Sequence, residues 1–99
     1  PERDMAIRLA TRLETAKELD IIQLSEQINI SKMQVPEQLV GKSVACANLR
    51  GKFGLNIIAI ESAGRVIDSI QPDYLFGSGD MLYLSGSKDG LLKIGQWAS

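Results

Sequence analysis

Histidine is absent from this 99-residue chain. Its absence removes the commonest general base and the commonest metal ligand. Cysteine occurs once, as Cys46, which excludes an internal disulfide and a Cys-rich zinc site. The neighbours of Cys46 are small and apolar, so it reads as a buried core thiol and not as a nucleophile, for which no base is at hand. Such cysteine usage suits the cytosol. No apolar run approaches the roughly 18 residues that a membrane span requires, and no signal peptide is visible. A concentrated basic face is lacking too: 11 Lys and Arg are scattered among 12 acidic residues, for a net charge of −1. That excludes general binding to a nucleic-acid polymer. The carboxylates Asp68, Asp73 and Asp80 have no spacing that pairs them for acid–base work, so no enzyme is expected.

What is present is ordinary. Hydrophobic residues make up 44% and charged residues 23%, the profile of a globular domain. The length suits one small domain plus an appendage. Beginning at Pro1 without Met, the chain reads as a fragment of something larger. A core this small buries a modest share of its surface, which favours a partner subunit.

The first 20 residues, PERDMAIRLATRLETAKELD, predict a helix: Pro1 suits the first position, and Met5, Leu9, Leu13 and Ala16 form one stripe. From Glu26 the period changes. Ile28 and Ile30 alternate with polar residues, and Met33 and Val35 continue on the other phase, which predicts a strand with a bulge near Ser31 and Lys32, ended by Pro36. GKSVACANLRGKFG predicts one short helix, capped by Ser43, stopped at Gly54, with Cys46, Leu49 and Phe53 on one face. LNIIAIES is the most apolar strand. Leu55, Ile57 and Ala59 are expected on one side and Asn56, Ile58 and Ile60 on the other. With both sides apolar, both need cover: helices on one, a second subunit or a ligand on the other. SAG turns the chain into the hairpin partner RVIDSI. DMLYLSG is a further strand, and a last helix is expected from about Lys88, capped by Ser87 and docked by Leu91, Ile94 and Trp97. The expected class is α+β, a small mainly antiparallel sheet with two helices, preceded by the N-terminal helix.

Gly77-Ser78-Gly79 resembles the start of a phosphate-cradling loop. A dinucleotide fingerprint needs a third glycine where Leu82 stands, and a helix after it. DMLYLS is instead a strand pattern, so no helix N-terminus faces this loop. The glycines are read as a tight turn, with Asp80 accepting backbone N–H bonds inside it.

Val35, Gly41-Lys42-Ser43, Leu49-Arg50, Phe53-Gly54, Pro72, Gly79-Asp80 and Gly86 follow one another in an order that resembles the C-terminal domain of RCK proteins, the regulators of potassium conductance. The likeness covers about residues 25 to 99 and is strongest to the regulatory subunits of Ktr- and Trk-type potassium uptake systems. PERDMAIRLA is similar to the last helix of the Rossmann-like RCK N-terminal domain. The resemblance therefore implies a helix and linker over 1–24, from a domain not in this chain, and an RCK C-terminal, TrkA-C-like domain over 25–99 that dimerises. The family's ATP, ADP or NAD site belongs to that other domain, so no cofactor is expected here.

In the Ktr-type subunits the domain is similar to a receptor for cyclic di-AMP, bound between two copies. By position, the resemblance implies a pocket of Val44, Ala45, Asn48, Leu49, Arg50, Asn56, Ile58, Arg65 and Pro72. The residue types suit the ligand. A two-fold symmetric nucleotide matches an isologous interface. Arg50 offers directional donors to a phosphate, and Asn56 offers a carboxamide to an adenine edge. Val44, Leu49, Ile58 and Pro72 offer apolar cover to the bases. Ala45 stands where the Ktr pattern tends to a larger aliphatic, and Asn48 where it tends to an acid. The resemblance implies a cytoplasmic regulator, peripheral to the membrane through a potassium channel or transporter subunit, that inhibits potassium uptake when the second messenger binds. Two other readings stand beside it: a structural dimerisation module without ligand, and the regulatory domain of a cation/proton antiporter with a different ligand.

Overall fold

A computed structural model describes residues 10–12 and 20–98. Strands β1 (Ala10–Arg12), β2 (Asp20–Gln23), β3 (Asn29–Gln34), β4 (Asn56–Ser62), β5 (Arg65–Ile67) and β6 (Met81–Gly86) form one sheet in the order β1-β2-β3-β6-β4-β5. Every neighbouring pair is antiparallel. Helices α1 (Val44–Ala47) and α2 (Leu49–Phe53) precede β4, and α3 (Lys88–Ala98) closes the chain. This is the expected α+β architecture.

The inner face of the sheet is set by register. Ser31 lies opposite Leu84 and Met33 opposite Leu82, while Ile57 and Ile60 oppose the same two leucines from β4. Met33, Ile60, Leu82 and Leu84 are buried together with Leu91 and Ile94 of α3. Removing this apolar area from water is the main favourable contribution to folding. The Ser87 hydroxyl accepts from the Gly90 N–H at 3.0 Å and caps α3, as expected. Gly90 also lets α3 come close to α2: a Cβ there would stand 2.4 Å from the Phe53 carbonyl oxygen. Trp97 completes the junction by packing on Phe53 with ring centroids 5.6 Å apart.

Four expectations need correction. The bulge is not in β3, whose six residues pair with β6 in unbroken register. It lies in β4, where the register with β6 shifts between Ile57 and Ala59. The extra residue, Ile58, resets the alternation, so Ile60 joins Ile57 on the inner face and Ala59 joins Asn56 on the outer one. The single helix expected before β4 is two. Asn48 takes the left-handed conformation (φ 49°, ψ 51°), ending α1 and starting α2. This break also moves Cys46 out of the phase of Leu49, and its thiol is exposed, not buried. Finally, most of the helix expected over the first 20 residues, and the residues 1–9 and 13–19 in particular, lies outside the described residues. Where they overlap it, Ala10–Arg12 and Asp20 are strand. β2 pairs with β3 and Ile21 enters the core, so the boundary expected after residue 24 falls between two paired strands. The β-branched pair Ile21-Ile22 favours the extended form that β3 templates.

Candidate ligand-binding site

The site begins with a helix of four residues, too short to hold itself together. Its N–H groups are satisfied from outside. The Ser43 hydroxyl accepts from the Cys46 N–H at 3.1 Å. The Val44 N–H donates to the Tyr74 carbonyl and the Ala45 N–H to the Pro72 carbonyl, each at 2.9 Å. The segment Pro72–Phe76 thus runs beside residues 41–45 as a strap, fastened further by Gly41 N–H to Phe76 O and Phe76 N–H to Lys42 O. One consequence is chemical. The first donors of α1 are consumed within the fold, so an anion at this site must be met by a side chain.

The cation that lines the site is Arg50, carried on α2. The Asn48 Oδ1 accepts from the Gly51 N–H at 3.1 Å and caps α2, and Gly54, at φ 70°, ends it in the left-handed form. The turn delivers the chain into β4 at Asn56. The Arg50 Nη1 donates to the Asn56 Oδ1 at 3.2 Å. This bond assigns the carboxamide: its oxygen faces the guanidinium and its NH2 remains as a donor.

Val44, Ala45, Asn48, Leu49, Arg50 and Asn56 line one open depression of about 370 Å³, with Leu55, Ile57 and Ile70. The floor is apolar and the rim holds one cation and two carboxamides. Pro72 stands beside it through the bond from Ala45. Ile58 and Arg65 are placed elsewhere. Ile58, the bulge residue, is 41% exposed. Arg65 lines a second depression with Ser62, Ser69 and Tyr74. Leu55 and Ile57, expected on one side of the apolar strand, and Ile70, expected in the hairpin partner, line the depression although no sequence signal marked them for it. Ile70 reaches the depression from the loop that follows β5.

Beneath the strap, Asp80 is 3% exposed. It accepts from the Tyr74 hydroxyl at 2.7 Å and the Gly77 N–H at 2.9 Å, the backbone bond expected of the glycine turn. Burial pushes its pKa up, but hydrogen bonds from Tyr74, Gly77 and Ser62 together hold it below the usual carboxylate value. Tyr74 is shifted up, by burial first and then by its bond to Asp80. On the outer face of the sheet, Lys32 stands 3.7 Å from Glu61 and over the Tyr83 ring. The Tyr83 hydroxyl donates to the same carboxylate at 3.1 Å. Among the described residues no helix is long and apolar enough to cross a membrane, and no group of three or more His, Cys, Asp or Glu is placed to hold a metal ion.

The antiparallel sheet, with Gly79-Asp80 turning into its β6 strand, has counterparts among known proteins. Residues 32–98 match the TrkA-C domain. The chain belongs to the TrkA-C family. It is 32% identical over 94 residues to the Ktr system potassium uptake protein A of Bacillus subtilis (strain 168), covering 95% of this chain and 42% of that protein. Among solved structures it is similar to the RCK C domain of the potassium transport protein KtrA in complex with cyclic diadenosine monophosphate, at TM-score 0.65 and 28% identity, over 68% of this chain and 79% of that one. It is equally similar in sequence to the RCK_C domain dimer of S. agalactiae BusR in complex with c-di-AMP, at TM-score 0.61 and 28% identity, over 67% of this chain and 84% of that one. This chain thus spans about two fifths of the length of the Ktr protein.

Proposed function

We propose that this TrkA-C domain is the sensing module of a potassium-uptake regulator, and that two copies bind one cyclic di-AMP across their two-fold axis. The observation that carries the proposal is the Arg50–Asn56 pair on the rim of an apolar-floored depression. Arg50 holds a phosphate by charge-assisted hydrogen bonds. The Asn56 NH2, already oriented by Arg50, donates to a ring nitrogen of adenine, and the floor covers the base. Similarity to two domains solved with this nucleotide supports the ligand. Exposed Ile58 and Leu75 provide apolar area for the second copy to cover. Through the remainder of the longer protein, binding at the dimer lowers potassium uptake by a membrane channel or transporter subunit. Such a signal requires that the ligand favour one dimer arrangement over another. The domain has no catalytic role.

Calorimetric titration with cyclic di-AMP tests this, with sedimentation as the control for assembly. One ligand per dimer is expected. Arg50→Ala weakens binding by about two to four decades, since charged hydrogen bonds are worth about 1.5–3 kcal/mol each and symmetry applies the loss twice. Dimerisation survives, because Arg50 supplies little apolar area. No binding by a folded, dimeric chain would favour a structural dimerisation module, or an antiporter domain with a different ligand.

A further inference from the structure

The depression has one wall that packing alone does not fix. Val44 and Ala45 form that wall: Val44 packs part-buried against the core, Ala45 is exposed, and Ala47 is the only fully buried residue of α1. What holds them is the strap, through the carbonyls of Tyr74 and Pro72. The strap in turn has two apolar anchors of its own, the Phe76 ring and the part-buried Tyr74 ring. Phe76 is buried, but Leu75 is 61% exposed. Between these two residues and Pro72, the polar end of Tyr74 reaches the Asp80 carboxylate at 2.7 Å. Asp80 is immobile for independent reasons. Its backbone carbonyl accepts from the Val35 N–H at 2.8 Å, its own N–H donates to Gly77 O, and its carboxylate takes the Gly77 N–H. A continuous line of bonds therefore runs from the end of β3, through Asp80 and Tyr74, to the two N–H groups that place the pocket wall.

We infer that Tyr74 and Asp80 are positioning residues of the ligand site: their hydroxyl–carboxylate bond sets where Val44 and Ala45 stand, although neither residue lines the depression. The ligand part of this inference rests on the cyclic di-AMP reading; the positioning part does not. Its physical basis is that a charge-assisted, part-buried bond is directional and fixes an orientation that the apolar contacts of Tyr74 and Phe76 leave open. Losing it frees the strap, and a freed strap leaves the short helix without partners for its first N–H groups.

The experiment uses the whole chain and two substitutions. Tyr74→Phe removes the hydroxyl and keeps the ring, which packs edge-on against Phe76 at 6.1 Å. Ile94→Val lowers stability through the buried face of α3, which carries none of the bonds of the strap, and serves as a control. Amide hydrogen exchange is read at Val44 and Ala45 relative to the strands β3 and β6. In Tyr74→Phe, exchange at the two wall amides rises by about tenfold beyond any global change, the scale of one lost hydrogen bond to a charged group. In Ile94→Val the wall amides change only as the rest of the sheet does. Cyclic di-AMP dissociation is then read on the same proteins, and is expected to be about fivefold faster in Tyr74→Phe alone. Equal exchange in the two variants would overturn the positioning role. Faster wall exchange with unchanged dissociation would overturn its link to the ligand. Absence of binding to the unsubstituted chain would remove the cyclic di-AMP reading and leave the exchange comparison to decide the positioning role.

Discussion

α1 and α3 both contribute to one core, and they are held by different forces. α3 buries Leu91 and Ile94 completely and brings Gly90 against the end of α2. α1 buries only Ala47, and its place is set by the Ser43 cap and the strap. Burial is non-directional and gains from close packing. Hydrogen bonds are directional and tolerate an open surface. A helix that turns side chains to an open depression has little apolar area left with which to anchor itself, so polar groups on one side take a larger share of its fixation. The contrast separates the stability of the domain from the geometry of its site.

The contrast can be broken or sharpened in order of expected size. Ile94→Ala removes a fully buried side chain and should cost about 2–5 kcal/mol, read as a lower urea midpoint. Wall amides of α1 should exchange faster only through global unfolding. Selective loosening at Val44 and Ala45 would show that α3 also fixes α1. Ser43→Ala removes the cap of α1 and should cost about 1 kcal/mol, with the loss of protection confined to Cys46 and its neighbours. The smallest effect concerns pH. Asp80 has a folded-state pKa below the ordinary carboxylate value, so its contribution is complete above that value and is lost as pH falls from about 4 through the lower, folded pKa. Exchange at Val44 and Ala45 should rise in that acid window before the protection of β3 and β6 falls. Simultaneous loss would place the strap and the core in one cooperative unit.

Much of the fold could be read from the sequence where the signals were local. Ser43 and Ser87 cap the helices they precede, Gly54 ends α2 in the left-handed form, and Gly77 to Asp80 is a turn and no phosphate loop. Each depends on a few consecutive residues. The misreadings share a different origin. A bulge in β4 is decided by which residues of β6 stand opposite, and Ile58 has nothing in its own neighbourhood to mark it as the extra one. Asn48 is a modest helix residue whose left-handed turn is worthwhile only because its side chain then caps α2. With that turn, the helical phase that placed Cys46 beside Leu49 no longer applies. For the site, Arg50 and Asn56 stood out by residue type, but their mutual bond did not, nor did the strap, whose partners lie some thirty residues apart along the chain.

The bulge in β4 bears on how the length of this domain can vary. Among the described strand pairs, β4 with β6 carries the register shift, and Ile58 is the residue without a place in the ladder. A copy of this gene lacking that one codon would keep Asn56 opposite Ser85, Ile57 opposite Leu84, Ala59 opposite Tyr83 and Ile60 opposite Leu82. The same deletion in β3 would turn Met33 or Ser31 outward, because no spare residue is there to absorb it. What the shortened β4 would lose is an exposed isoleucine and the extra twist that a bulge gives its strand. Strand β4 is therefore a point at which this domain can lose a residue, and with it exposed apolar surface, while the order of the sheet stays the same.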